Sequence, residues 1–184
     1  AAGWAAAGIA VIQLEHPGSD AAVYAGATSA EERLARVRAA ATPAQLVARA
    51  GDVGFVADEL ARRSREGACD LSRINPDRLG LAGHSMGAWT VQAIAGQRFG
   101  PDRAGAPPPL VDRRFRAFIA MSPSATSPAG FADVHRPLLA ITGTRDGVSA
   151  DADAVAVARA LAQRTALFAA LPADGRKAQA LFGG

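Results

Sequence analysis

The pentapeptide Gly83–Gly87, Gly-His-Ser-Met-Gly, places a serine between two glycines at the G-x-S-x-G spacing. A serine hydroxyl is a weak nucleophile, so it must stand exposed where a base can remove its proton. A tight turn from a strand into a helix exposes the hydroxyl in this way. The two glycines allow the backbones of the strand and the helix to approach each other. We therefore predict that Ser85 is the nucleophile of a covalent reaction.

The residues on both sides of Ser85 favour this geometry. An apolar run, Leu79–Ala82, predicts a strand before the pentapeptide, and the helix-like run Ala88–Ala95 follows it. The backbone N–H of Met86, at the start of the predicted helix, would be one donor to the oxyanion. Trp89 lies on the first turn of this helix, where it could line a substrate pocket or pack the helix.

An aspartate follows a later predicted strand. The run Pro137–Thr142 predicts a buried strand, and Asp146 comes four residues after it. Because ligands bind outside the carboxyl ends of parallel strands, we expect Ser85 and Asp146 at the same edge of the sheet. Asp146 would fix the tautomer of a catalytic imidazole and stabilise its charged form, although an Asp before Gly is also a common turn former. Asp151 and Asp153 are the alternative acids, but their position is typical of the charged first turn of the next helix.

None of the three histidines is well placed to be the base. His84 adjoins Ser85 and should project away from it. His135 precedes the Pro137 strand and so belongs to the amino end of the sheet. His16 follows an earlier predicted strand at the correct edge, but it comes before the serine and two elements away. We expect His16 to shape the floor of the pocket or to cap a turn.

Strand-like and helix-like segments alternate along the chain, which predicts an α/β fold with a mostly parallel sheet and helices on both faces. The predicted strands are Ile9–Leu14 (buried on both faces), Leu79–Ala82, Phe115–Met121, Pro137–Thr142 and Lys177–Phe182. The predicted helices are Ala1–Ala7, Ser29–Ala41, Pro43 towards Arg65, Met86–Arg98 and Asp151–Leu171. Irregular connections are predicted at Gly100–Pro109 and Ser122–Gly130.

The composition bounds the function. The chain of 184 residues carries a formal charge of +3, its basic residues are scattered among acidic ones, and aromatic residues make up only 5%. The absence of a basic and aromatic stripe argues against nucleic-acid binding. No apolar run reaches membrane-spanning length, and Cys69 is the single cysteine, so no internal disulfide can form. With no initiator Met and no charged leader, we expect a piece of a longer protein, and its compartment and oligomeric state stay open.

Four segments together resemble one family. The chain resembles the α/β-hydrolases, and among them the bacterial predicted dienelactone hydrolases that are related to platelet-activating-factor acetylhydrolases. The resemblance spans nearly the whole chain and rests on residues 8–20, 78–90, 115–124 and 136–147. The pentapeptide is typical of the superfamily, whereas His16-Pro17-Gly18-Ser19 points to this branch.

The resemblance implies ester hydrolysis by a Ser-Asp-His triad, in that chain order, without a metal or an organic cofactor. By position, Ser85 is the nucleophile and Asp146 the acid. The histidine would lie beyond Gly184 and the second oxyanion donor before Ala1, so the chain as given is expected to be truncated at both ends and inactive. Dienelactone hydrolases use a cysteine nucleophile, so the family name does not fix the substrate.

Two functions are compatible with these features. The first is a serine hydrolase of the esterase or lipase type that acts on small-molecule carboxylic esters, in one domain over residues 1–184. Loops at 19–42 and 99–114 could form its acyl pocket and lid, and the same site could serve an acyltransferase or a peptidase. The alternative is a non-catalytic α/β-hydrolase scaffold that binds a ligand or a protein partner. The lack of a suitable histidine favours the scaffold, whereas retention of Ser85 and Asp146 favours the enzyme.

Overall fold

A computed structural model of the chain describes residues 2–67, 71, 74–99, 109–124, 128–149 and 151–183. The chain divides into two compact units, Ala1–Pro76 and Asp77–Gly184. Among the described residues, no helix has the length and apolarity needed to cross a bilayer.

The second unit is built on one parallel sheet of four strands. The strands are β1 (Leu79–His84), β2 (Phe115–Met121), β3 (Leu138–Gly143) and β4 (Lys177–Phe182). They lie side by side in chain order, and all three neighbouring pairs are parallel. This arrangement confirms the predicted α/β class and four of the five predicted strands, which agree with the structure to within two residues at each end.

Alternation of side chains along the central strands fixes which residues enter the core. In β3 every second residue is buried, and the buried Phe118 and Ala120 of β2 pair with Leu138 and Ala140 in the register of the sheet. A slip of one residue between β2 and β3 would turn their apolar side chains outward, so the register of this parallel pair is well defined. The positions at which β2 and β3 end are therefore fixed relative to each other.

Two helices of the second unit differ from their predicted bounds. α4 (Met86–Ala95) ends three residues before the predicted Arg98, because Gly96 adopts a φ of 125° that a helix cannot continue. α5 (Ala154–Ala170) begins three residues after the predicted Asp151 and is continuous. The side chain of Asp153 caps α5 by accepting a hydrogen bond from the Ala156 N–H at 2.7 Å. Asp151 and Asp153 therefore precede the helix and do not lie in its first turn.

The first unit contains the helices α1 (Ala2–Ala6), α2 (Ala30–Ala40) and α3 (Pro43–Glu66). The two longer helices, α2 and α3, begin where the sequence carries capping signals. Ser29 and Thr42 cap α2 and α3 through hydrogen bonds from the third residue of each helix, at 3.0 and 3.1 Å. Glu32 does not return the bond to Ser29, as a full capping box requires, because it accepts from Thr28 instead.

The predicted strand Ile9–Leu14 is wrong. The structure assigns these residues to no strand, and Ile9 and Ile12 are 54% and 51% exposed. A strand forms through hydrogen bonds to a neighbouring strand. No strand among the described residues pairs with this segment. The β-branched composition of the segment is therefore insufficient to make it a strand.

Part of the predicted loop Ser122–Gly130 is ordered as a 3-10 helix, Pro128–Phe131. Cys69 and most of the predicted connection Gly100–Pro109 lie outside the described residues. The lid and pocket loops at 19–42 and 99–114, and the assignment of residues 1–184 to one domain, stay predictions.

Candidate active site

Ser85 occupies a strained turn between β1 and α4. Its backbone has a φ of 55° and a ψ of −112°, outside the usual conformations of a residue with a side chain. Although Ser85 stands at the N-cap position of α4, its side chain makes no capping hydrogen bond, and the residue is exposed. The turn therefore presents a hydroxyl that the described part of the fold does not use.

Gly83 makes the tight turn possible. A Cβ atom at Gly83 would collide with the backbone of Gly87, and it would lie 2.9 Å from the Gly87 Cα. Because the obstacle is backbone, a side-chain rotation could not relieve the clash. The sequence-based reason for this glycine, close approach of strand and helix, is confirmed.

The start of α4 offers a donor next to Ser85. Met86 is the first helical residue, so its N–H has no carbonyl partner within the helix. The N-terminus of a helix also carries a partial positive charge. A negatively charged oxygen that forms beside Ser85 would meet both. The structure thus places the N–H of Met86 where a helix can stabilise an anion, and the assignment of an oxyanion hole stays a prediction.

Asp146 follows β3, and the fold fixes one of its two carboxylate oxygens. The Oδ2 atom accepts hydrogen bonds from the Thr142 hydroxyl at 2.7 Å, the Ser122 hydroxyl at 2.7 Å and the Gly143 N–H at 2.9 Å. Within the described chain, no hydrogen bond reaches the Oδ1 atom. The carboxylate is therefore held in one orientation, and Oδ1 is left to accept a hydrogen bond from a further donor.

These contacts keep Asp146 ionised. Partial burial pushes the pKa of the Asp146 carboxyl up. The hydrogen bonds from Gly143, Thr142 and Ser122, together with the positive charge of Arg164, outweigh burial and hold this pKa below its usual value. A carboxylate in this state can orient an imidazole and stabilise an imidazolium.

The sheet brings the ends that carry Ser85 and Asp146 to one edge. Ser85 follows β1, and Asp146 comes three residues after β3, with β2 alone between them. Neighbouring strands lie about 4.8 Å apart, so roughly 10 Å separates the two strand ends. Two hydrogen bonds of about 2.8 Å, one on each side of an imidazole ring, span about 8 Å, so the ring could join side chains that extend towards each other from the two strand ends.

The end of β2 and the turn after it contact both Ser85 and Asp146, and this contact was not predicted from the sequence. The Ser85 N–H donates to the carbonyl of Met121 at 3.0 Å, and the hydroxyl of the next residue, Ser122, is the one that binds Asp146. Ser122 has a φ of 50°. Ser122 and Ser85 are the two residues other than glycine with a positive φ in the described chain. A serine directly after an apolar strand was the available signal, but its partner depends on the register between β2 and β3.

Arg164 of α5 fixes this turn from the other side. Its Nη1 donates to the carbonyls of Ser122 at 2.6 Å and Pro123 at 3.0 Å. Its Nη2 would lie 2.8 Å from a Cβ atom at Gly147, so a side chain there would displace the guanidinium, and the φ of 83° at Gly147 also favours glycine. Arg164 therefore touches the turns after β2 and β3 together.

The histidines of the second unit do not pair with Asp146. His84 is the last residue of β1 and is exposed. His135 is also exposed, and it precedes β3, which puts it at the amino end of the sheet as predicted. The partners of the Asp146 carboxylate are those already named, so the described chain supplies no base to it.

His16 has a defined structural role in the first unit. It is only 7% exposed, and its Nδ1 lies 2.7 Å from the Asp52 carboxylate of α3. The carbonyl of His16 accepts from the Ser19 N–H at 3.1 Å, and Arg49 and Gln45 of α3 donate to the Ser19 hydroxyl. The turn role that the sequence suggested is thus present, whereas the pocket role stays a prediction.

Trp89 packs against Phe99. The two rings meet edge to face, with centroids 5.6 Å apart and an interplanar angle of 81°. The indole Nε1 is buried and has no hydrogen-bond partner in the described chain. The packing role is therefore present, and the lining of a substrate pocket by Trp89 stays a prediction.

Comparison with protein-family models gives no match, and comparison with curated proteins finds no significantly similar sequence.

Proposed function

We propose that the protein is a serine hydrolase of the α/β-hydrolase type that cleaves carboxylic esters through an acyl-enzyme. The observation that carries the proposal is the turn at Ser85. A serine is held at a φ of 55° at the start of a helix, exposed and without a capping bond. Strain of this kind costs on the order of 1–3 kcal/mol and is typical of functional positions.

Asp146 supports the same reaction. Its lowered pKa, its three hydrogen bonds to Oδ2 and its position at the same edge of the sheet as Ser85 are what an acid of a catalytic triad needs. A carboxylate that only shaped the turn at Gly147 would not need a donor from the end of a neighbouring strand, as Ser122 provides. We assign Asp146 the role of orienting the imidazole and stabilising its charge.

The reaction proceeds in two halves. The Ser85 Oγ attacks the acyl carbon as its proton passes to the imidazole, and the Met86 N–H stabilises the negative oxygen that forms. The ester C–O bond breaks, the imidazolium returns the proton to the leaving alcohol, and Ser85 carries the acyl group. Water then attacks the acyl carbon with the imidazole as base, which releases the acid and restores the Ser85 hydroxyl.

The imidazole belongs, in this proposal, to a histidine that follows β4 beyond Gly184. β4 is adjacent to β3, so a residue after β4 would come to the same edge as Asp146.

The ester class is tested with the full-length natural protein and p-nitrophenyl esters of graded acyl length. We expect hydrolysis that Ser85→Ala removes and that the matched Ser124→Ala, at an exposed serine after β2, leaves unchanged. Binding of the esters without turnover by a folded full-length protein would contradict the proposal and favour the scaffold that binds a ligand.

A further inference from the structure

The turn after β2 joins the two candidate catalytic residues. The carbonyl of Met121, the last residue of β2, accepts the Ser85 N–H, and the hydroxyl of the next residue, Ser122, donates to Asp146 Oδ2 at 2.7 Å. Ser85 and Asp146 are thus linked through two consecutive residues, Met121 and Ser122. A shift of this turn would move both groups.

Ser122 is fixed on every polar atom. Its N–H donates to the Ile141 carbonyl at 2.7 Å, its carbonyl accepts from Arg164 at 2.6 Å, and its hydroxyl donates to Asp146. A serine at a φ of 50° persists only where the surroundings hold it, because the conformation is strained. Glycine would adopt this conformation without strain, so the presence of serine points to use of the hydroxyl.

The contact with Asp146 selects one orientation of the carboxylate. Three donors converge on Oδ2: Gly143 and Thr142 from β3, and Ser122 from the turn after the neighbouring strand β2. Only Ser122 approaches from the side of β2, which lies between Asp146 and Ser85. Without its hydroxyl, rotation of the carboxylate about the bond to Cβ would lose a restraint on that side.

We propose that Ser122 is a positioning residue of the hydrolase: its hydroxyl orients Asp146 so that Oδ1 receives the imidazole N–H, and Arg164 braces the turn. This inference rests on the proposed function. Arg164 of α5 is the charged group that acts electrostatically on Asp146 within the described chain. Ser122 itself touches neither substrate nor the reacting atoms.

The first test is kinetic and uses the full-length natural protein. Ser122→Ala removes the hydroxyl and keeps a side chain at the same backbone conformation. We expect kcat to fall about tenfold, the effect of losing one hydrogen bond to a charged group, with KM unchanged. We also expect the acid limb of the kcat/KM profile to move to higher pH. A carboxylate with fewer hydrogen-bond donors stabilises the imidazolium more strongly, which raises the pKa of the imidazole. The control Ser124→Ala should change neither quantity.

The second test does not depend on turnover. Titration of the Asp146 carboxyl carbon by NMR should show a higher pKa in Ser122→Ala than in the wild type, because one donor to the carboxylate is gone. Should Ser122→Ala fold poorly, Ser122→Gly also lacks the hydroxyl and relieves the positive φ, and the same shifts are expected from it.

The outcomes separate this inference from the proposed function. If Ser85→Ala and Asp146→Asn lose activity but the Ser122 variants keep the wild-type kcat and pH profile, the positioning role is overturned and the hydrolase remains. An unchanged Asp146 pKa would also overturn it, because the hydroxyl would then not bind the carboxylate. Hydrolysis that survives in Ser85→Ala would overturn both.

Discussion

The turns at Ser85 and Ser122 end neighbouring strands and share an unusual backbone, yet they use their hydroxyls in opposite ways. Both serines have a positive φ, of 55° and 50°. The Ser85 hydroxyl has no hydrogen-bond partner in the described chain, whereas the Ser122 hydroxyl binds Asp146. The strained turn at Ser85 exposes the hydroxyl, whereas the strained turn at Ser122 directs the hydroxyl to Asp146. A positive φ therefore marks a candidate site, and the partners of the side chain indicate which role it has.

Removal of the exposed hydroxyl should have the largest effect. In the full-length natural protein, Ser85→Ala should lower ester hydrolysis by about 10⁶-fold, because the proposed acyl-enzyme forms on the hydroxyl that this variant lacks. The measurement is kcat with a p-nitrophenyl ester, and Ser124→Ala provides the matched control. A rate within tenfold of the wild type would show that the two turns do not differ in chemistry.

Asp146→Asn should have the next largest effect, on the order of 10⁴-fold in kcat, because an amide at this position selects the wrong imidazole tautomer. The same ester assay measures it, with folding checked by circular dichroism. A rate close to that of the wild type would move the acid to Asp151 or Asp153. Asp153 is the less suitable of the two, since its carboxylate already caps α5.

Gly83→Ala tests the backbone that supports the exposed turn. The new Cβ would overlap the backbone of Gly87, so we expect the free energy of unfolding to fall by about 4 kcal/mol or more. The matched control is Gly80→Ala on the same strand, where the nearest atom to a Cβ is the Ala117 carbonyl oxygen at an ordinary 3.6 Å. Chemical denaturation measures both variants. Equal stability of the two would show that the turn is less tight than the structure has it.

The smallest effect separates the two turns by stability alone. Ser85→Gly relieves backbone strain and loses no hydrogen bond of the hydroxyl, so it should stabilise the protein by about 1 kcal/mol. Ser122→Gly relieves similar strain but loses a bond to a carboxylate, which costs about 1.5–3 kcal/mol, so it should be neutral or destabilising. Thermal unfolding at neutral pH gives the comparison. Equal changes in stability for both variants would mean that the hydrogen bond between Ser122 and Asp146 contributes nothing to stability.

Local signals in the sequence predicted most of the fold. The caps at Ser29 and Thr42 and the glycine at Gly83 act within a few residues, so the sequence reports them directly. The four strands of the sheet are largely apolar segments whose partner strands are present. Ile9–Leu14 is also largely apolar, but it has no partner strand among the described residues and does not form a strand.

The candidate site could be predicted only in part, for a related reason. Ser85 and Asp146 follow from a motif and a strand end. The bonds from Ser122 and Arg164 depend on which strands are neighbours, on their register and on the direction of α5. Ser122 lies 24 positions from Asp146 and 42 positions from Arg164 in the sequence. No spacing rule along the chain predicts contacts between residues so far apart.

The central claim is that the Ser85 hydroxyl is a nucleophile activated by its surroundings. Its most direct test is to treat the full-length natural protein with a fluorophosphonate probe and to locate the modified residue by peptide mass spectrometry. The account predicts a single phosphonylated residue, Ser85, and no labelling of Ser85→Ala. Labelling at another residue, or none in a folded full-length protein, would contradict it.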